Sequence, residues 1–253
     1  MKGKVALVTG ASRGIGAAIA RTLGRQGAAV AVNYVHNAER AAEVVADIEA
    51  AGGPALAVRG DVGNRADAER VVREAQGLGD IDVLVCNAFG TTSGIRRRPV
   101  VDSWDSIEAI RQRASIQLAC TLNCIHLVVP GMRANGGGSI ILIGASGSQR
   151  GGAPGLAEIG VAKAAQDTLG LILARELGPD GIRVNTVAPG LVPTDANAGE
   201  HQSAMIANAK ATTPLRRVSL PQDVADAVAA FAGDATRQVT GAQVSVDGGR
   251  SLG

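Results

Sequence analysis

Lys4-Val5-Ala6-Leu7-Val8-Thr9, running on into Gly10-Ala11-Ser12-Arg13-Gly14-Ile15-Gly16, decides the fold. The first six residues are a short apolar run, the pattern of a strand buried on both faces. The next seven hold three glycines and open a helical pattern from about Gly14. A strand feeding a helix through such a loop gathers free N–H groups and the positive end of a helix dipole at one point. Glycines let the backbone approach an anion there, and a pyrophosphate suits that geometry. A tight turn with no ligand is the plainer reading. The strand before and the helix after favour the phosphate.

Outward from this point, strand-like and helix-like segments alternate to the end of the chain. Strands are expected at 4–9, 28–33, 55–59, 81–86, 139–143, 182–187 and 243–246. Helices are expected from 14, then at 38–50, 64–76, 103–134, 156–177 and 221–232. The alternation predicts an α/β fold: one Rossmann-type, doubly wound parallel sheet of about seven strands with helices on both faces. With no linker or repeat, residues 1–253 read as a single domain. Residues 195–215 are polar and poorly periodic and read as a flap over a substrate. Its helical part, near 199–209, carries Met205 and Ile206.

Composition narrows the function. Apolar residues make up 46% of the chain and aromatics 2%, so Ala, Val, Ile and Leu must fill the core. A formal charge of +2 argues against nucleic-acid or membrane partners. Cys86, Cys120 and Cys124 lie in apolar runs without a Cys-x-x-Cys pair, which suits reduced, buried thiols in a cytoplasmic protein. No leader peptide or membrane-length apolar run stands out. Cys120, Cys124 and His126 are discounted as a metal site, because His126 is rotated away from the cysteines on a helix.

The chain resembles the classical short-chain dehydrogenase/reductase family, and especially its β-ketoacyl-carrier-protein reductases. The resemblance rests on Thr9 to Gly16 with Gly-x-x-x-Gly-x-Gly spacing, Asp61-Val62, Asn87-Ala88, Ser146, Lys163 with Ala164-Ala165, Arg183-Val184-Asn185, Pro189-Gly190 with Thr194, and Asp247-Gly248-Gly249. It implies a dinucleotide along Gly10, Ser12, Arg13, Gly14, Ile15, Gly16 and Asn33. Asp61 and Val62 would flank the adenine, and Asn87 and Ala88 the adenosine ribose. Lys163, Pro189, Gly190, Val192 and Thr194 would meet the nicotinamide end. The second strand ends Val32-Asn33-Tyr34 with no carboxylate, and Arg13 sits in the loop. Both features favour NADP(H), with NAD(H) as the alternative. The resemblance also implies a homotetramer packed through the long helices near 103–134 and 155–177 and the C-terminal strand.

The catalytic positions depart from the pattern. In the family, serine orients the carbonyl, tyrosine gives the proton, lysine tunes that tyrosine and holds the ribose, and a helix asparagine anchors a water. Ser146 and Lys163 match. The tyrosine position falls on Ile159 and the asparagine position on Gln117. An isoleucine donates no proton. Tyr34 is the chain's single tyrosine and lies in the adenine half. Phe89 replaces a glycine beside the cofactor, either crowding the pocket or leaving Gly90 to serve. Glu158 is expected to point elsewhere; Ser148 and Gln149 are candidate polar donors. Arg96-Arg97-Arg98 could receive an acidic carrier or be a solvated loop.

Three readings follow. The first is an NADP(H)-dependent oxidoreductase acting on a carbonyl or hydroxyl of a small-molecule or carrier-bound substrate, through an altered proton path. The second is a non-catalytic, cofactor-binding subunit that pairs with an active paralogue in a hetero-oligomer. The third is a redox-neutral cyclase or dehydratase.

Overall fold

The computed structural model describes residues 1–90, 99–100, 103–148, 154–195 and 202–252. Seven strands form one sheet: β1 (Val5–Val8), β2 (Ala29–Tyr34), β3 (Ala55–Arg59), β4 (Ile81–Cys86), β5 (Gly138–Ile143), β6 (Ile182–Pro189) and β7 (Gln243–Val246). Their order is β3-β2-β1-β4-β5-β6-β7, and every neighbouring pair is parallel. The chain therefore reverses direction across the sheet between β1 and β4. At such a switch point the loops leaving the two strands part and leave a crevice at their carboxyl ends.

The helices are α1 (Gly14–Arg25), α2 (Ala38–Ala50), α3 (Arg65–Ala75), α4 (Trp104–Ala134), α5 (Ala157–Leu177), α6 (Gln202–Thr212) and α7 (Pro221–Ala232). One core joins β1, β4 and β5 to α3, α4 and α5, through residues such as Leu7, Leu84, Ile125, Met132 and Ile140. The other lies on the opposite face, where Ile19, Leu23, Val30, Ile48, Ile141 and Val228 join α1, α2 and α7. The central strands β1, β4 and β5 are buried on both faces because each face is covered, which explains their apolar runs.

Two expectations need correction. First, α4 is long and apolar enough to span a membrane by length and composition, although no such run was expected. Its apolar residues serve the fold instead: Cys120, Cys124, Ile125, Val128 and Met132 pack into the core. Second, the helical part of the flap, expected near 199–209, is described as Gln202–Thr212, a few residues later. Residues 196–201 of that flap, Arg96–Arg98 and Gln149 lie outside the described residues.

Asn33 shows how the sequence fixes the crevice. Its side chain is buried. Its Nδ2 donates to the carbonyls of Val58 (3.3 Å) and Gly60 (2.9 Å), and its Oδ1 accepts from Gly10 N (3.2 Å). One side chain thus ties β3, β2 and the glycine loop together. Asn33→Ala is expected to lower unfolding free energy by about 2–4 kcal/mol, because it leaves buried backbone groups without partners. Urea unfolding checks this, and a loss below about 0.5 kcal/mol would contradict it.

Candidate active site

The glycine loop lies at the carboxyl end of β1, on the crevice. Gly10 and Gly14 have φ of +62° and +56°, left-handed values that side chains rarely adopt. A Cβ on Gly16 would sit 2.5 Å from both Asn87 Nδ2 and the Gly10 carbonyl oxygen, so this position takes glycine for space alone. Thr9 Oγ1 accepts from the backbone N–H groups of Asn87 and Ala88, each at 3.0 Å. Asn87 Nδ2 returns bonds to the carbonyls of Thr9 (2.8 Å) and Gly10 (3.0 Å). Residue 13, exposed at the start of α1, puts no side-chain cap on the helix. The first-turn N–H groups of α1 lack intrahelical partners and offer an anion site. No acidic side chain lies in that turn to oppose a phosphate.

The remaining expected cofactor residues surround this loop. Val62 is buried, and Asp61 Oδ1 accepts from Gly63 N (2.9 Å) beside it. Thr194 packs against Gly14, where a Cβ would come within 3.3 Å of its methyl. Gly190 N donates to Val246 O (3.1 Å), setting the turn that follows Pro189, and Val192 is buried in the core under α1. Ser12 and Ile15 are half-buried in the loop and first turn. Asn33, expected at the cofactor, instead uses its amide to brace the loop from behind.

Lys163 is buried on α5, facing the end of β5. Its Nζ donates to Ile143 O (2.6 Å) and contacts Gln166 Oε1 (3.4 Å). Burial lowers its pKa to about 8, against the opposing charge of Asp167. Ile159 stands one turn earlier on the same helix, half-buried and without a polar group. Gln117 is fully buried on α4. Its Nε2 reaches Ala88 O (3.5 Å) and Thr121 Oγ1 (3.4 Å), while its Oε1 has no hydrogen-bond partner. Ser146 is half-buried after β5, its N–H held by Pro189 O (2.9 Å). Its hydroxyl is engaged by Asp247. Burial pushes the Asp247 carboxyl up, but bonds from Ser251, Gly249 and Ser146 outweigh this and hold it below its usual range.

Phe89 links these groups. Its ring meets two cations: Lys163 Nζ is 4.9 Å from the ring centroid, and Arg113 Cζ is 4.8 Å away. Arg113 is buried on α4 and also contacts Phe89 O (3.4 Å). Its guanidinium pairs with Glu158 at 3.8 Å. Glu158 was expected to point away; it instead turns toward α4, because a buried guanidinium there needs a counter-charge. Position 90 itself takes glycine for steric reasons. Its φ is +81°, and a Cβ there would meet Ile116 Cγ2 at 2.2 Å.

Three features escaped the sequence reading. Arg113 gave no signal, because an arginine on a helix reads as a solvated face. The buried Gln166 was equally silent. Asp167 forms a second layer: Ser148 Oγ contacts its Oδ2 at 2.6 Å and Ala145 O at 2.7 Å, and Gln243 Nε2 donates to Oδ2 at 3.0 Å. Burial pushes the Asp167 carboxyl up. Ser148, expected as a proton donor, is buried and committed to this network. Cys86, Cys120 and Cys124 are free and buried, and His126 is exposed. Among the described residues, no cluster of His, Cys, Asp or Glu could hold a metal ion.

Residues 10–251 match a family model described as Enoyl-(Acyl carrier protein) reductase. A 3-oxoacyl-[acyl-carrier-protein] reductase of Staphylococcus aureus is 36% identical, with 97% of each chain covered. A short-chain type dehydrogenase/reductase from Mycobacterium ulcerans superposes with a TM-score of 0.89 at 30% identity, covering 100% of this chain and 91% of that one. A blue fluorescent protein from a metagenomic library, solved in complex with NADPH, superposes at 0.86 with 35% identity and 98% of each chain covered.

Lys163 makes a signed pH prediction. A base whose folded pKa lies below its unfolded value holds fewer protons when folded, so stability rises with pH between the two values. For Lys163 that window runs from about 8 to 10.5. The buried thiols act oppositely, since burial pushes Cys120 to about 11 and Cys124 to about 12. The readout is therefore the difference between the native chain and Lys163→Met. Their stability gap should shift in the native chain's favour across that window, and a flat difference would refute the burial of a charged Lys163.

Proposed function

The chain belongs to the short-chain dehydrogenase/reductase family, and we propose that it is an NADP(H)-binding oxidoreductase acting on a carbonyl or hydroxyl group by a proton path that avoids position 159. One observation carries this reading. The glycine loop turns through left-handed Gly10 and Gly14, is close-packed on Asn87 at Gly16, and presents the first turn of α1 with no acidic side chain in it. Arg13, exposed at the start of α1, and a second strand ending in Asn33-Tyr34 without a carboxylate support NADP(H) over NAD(H). The complex of the metagenomic relative with NADPH supports the same choice.

When bound, NADP(H) supplies or accepts a hydride at the nicotinamide. Gly10, Ser12, Arg13, Gly14, Ile15 and Gly16 would hold its pyrophosphate and 2′-phosphate. Asp61, Val62, Asn87 and Ala88 would line the adenosine, and Pro189, Gly190, Val192 and Thr194 the far half. Lys163 would anchor the second ribose, and Ser146 would donate to the substrate oxygen after leaving Asp247. Ile159 offers an apolar wall and no proton. Lys163, lowered to about 8, is an acid of suitable strength to hold the exchangeable proton near that wall. Gln117 would steady a water through its unpartnered Oε1.

The substrate is a small molecule or a carrier-bound acyl group, as the name of the Staphylococcus aureus relative suggests. Helix α6, within the 195–215 flap, would cover it. Exposed Leu122 on α4 and Val161, Leu171 and Ile172 on α5 support a homotetramer packed through these helices. A second reading, a non-catalytic subunit beside an active paralogue, is favoured by one observation: Lys163, Gln117 and Ser146 are each engaged by the chain's own groups.

Ile159→Tyr is the test. With NADPH and a β-ketoacyl thioester, the variant should reduce the ketone about 10²-fold faster than the native chain. Arg13→Ala should erase a preference for NADPH over NADH in calorimetric titration. A tyrosine variant no faster than the native chain, with NADPH still bound, would favour the subunit reading.

A further inference from the structure

Lys163 has three N–H donors. One points to Ile143 O at 2.6 Å, one to Gln166 Oε1 at 3.4 Å, and the Phe89 ring covers the ammonium from 4.9 Å. Ile143 and Gln166 are buried, whereas Phe89 is half-buried. The open approach to this ammonium is therefore the side that Phe89 covers. A ribose hydroxyl bonding Nζ must come within about 3 Å of it. The ring stands on that side, its centroid 4.9 Å from Nζ.

The ring is held as well as placed. Arg113 Cζ also lies over it, 4.8 Å from the centroid, and Arg113 contacts the Phe89 carbonyl. Glu158 pairs with the same guanidinium. The backbone beside the ring is pinned too, since Gly90 is pressed against Ile116 in a left-handed conformation. Cation–π contacts are worth more where they are desolvated, and both cations here are buried. Among the described residues, no ring of this kind is found at the phosphate end of the crevice. Its cradle is braced from below by Thr9, Asn33 and Asn87.

We propose that Phe89, held by contacts with Arg113 and Lys163, fills the place of the nicotinamide ribose, so that the crevice takes an adenine nucleotide by its adenosine–phosphate half and admits the nicotinamide half only when the ring moves aside. This rests on the reading of the crevice as an NADP(H) site. It adds that this chain's affinity resides in one half of the ligand. It makes adenosine phosphates without nicotinamide competent ligands in their own right. It also makes residue 89 the position that sets whether the second half contributes.

Calorimetric titration with two probes, adenosine 2′,5′-bisphosphate and NADPH, tests the proposal. In the native chain the two should bind within about threefold of each other. In Phe89→Gly, NADPH should bind at least tenfold tighter than in the native chain, while the bisphosphate stays within twofold. Phe89→Ala, which keeps a Cβ and more ordinary backbone freedom, should give the same pattern and guards against misfolding of the glycine variant. A second readout is the Lys163 amine, followed by pH-dependent acylation and mass spectrometry: it should be reactive in both variants and protected in the native chain. NADPH binding tenfold or more above the bisphosphate in the native chain, unchanged in both variants, would overturn the proposal and leave the NADP(H) reading standing. No binding of either probe to any variant would overturn both.

Discussion

The hydroxyl of Thr9 closes the one join on which the crevice depends. It donates to Val85 O and accepts from the N–H groups of Asn87 and Ala88. Those bonds fasten the end of β1 to the end of β4, the two strands between which the fold reverses. Asn87 answers from the other side, and Asn33 braces the loop from β2. The glycine loop is therefore a rigid ledge. Its left-handed turns would be costly in an unsupported loop, and here they persist because three side chains over-determine them.

The ledge and the chemical end of the crevice are built on different terms. At the ledge, polar groups of the protein satisfy one another beneath the site and leave the α1 amides facing outward. At the other end, several of them turn to one another within the site itself, while Gln117 Oε1 is left without a partner. Lys163 faces Ile143 O, Gln166 and an aromatic ring; Ser146 faces Asp247; Gln117 faces Ala88 O. A buried polar group without a partner is costly. Donors at this end are therefore drawn to the chain's own acceptors. Phe89 and Arg113 fit that account, since an aromatic ring and a buried guanidinium occupy space that polar ligands would otherwise wet.

The sheet was legible from the sequence because its signal is redundant. Seven apolar runs alternate with helical periodicity, and the glycine loop marks the switch point. Boundaries moved by a residue or two, as β6 did in running on to Pro189. The cradle was legible for the same reason: glycines at fixed spacing have a steric cause that does not depend on distant residues. The chemical end was half legible. Ile159 and Gln117 could be placed by counting from Lys163 and Pro130. Phe89 could be flagged, but not what it would touch. Arg113, Glu158, Gln166 and Asp167 escaped, because their meaning lies in contacts between α4, α5 and the loop after β4. A helical arginine or glutamate reads as solvated until the facing helix is known.

Cys86, Cys120 and Cys124 sit in the core layer behind Lys163, each buried and raised in pKa by burial. A thiol that is both hidden and protonated is unreactive toward alkylating reagents. In the closed molecule all three are chemically silent, and they come within reach only when α4 lifts off the sheet. Their rate of labelling is thus a built-in clock for that opening, read without any engineered probe and independent of whether the crevice turns over a substrate.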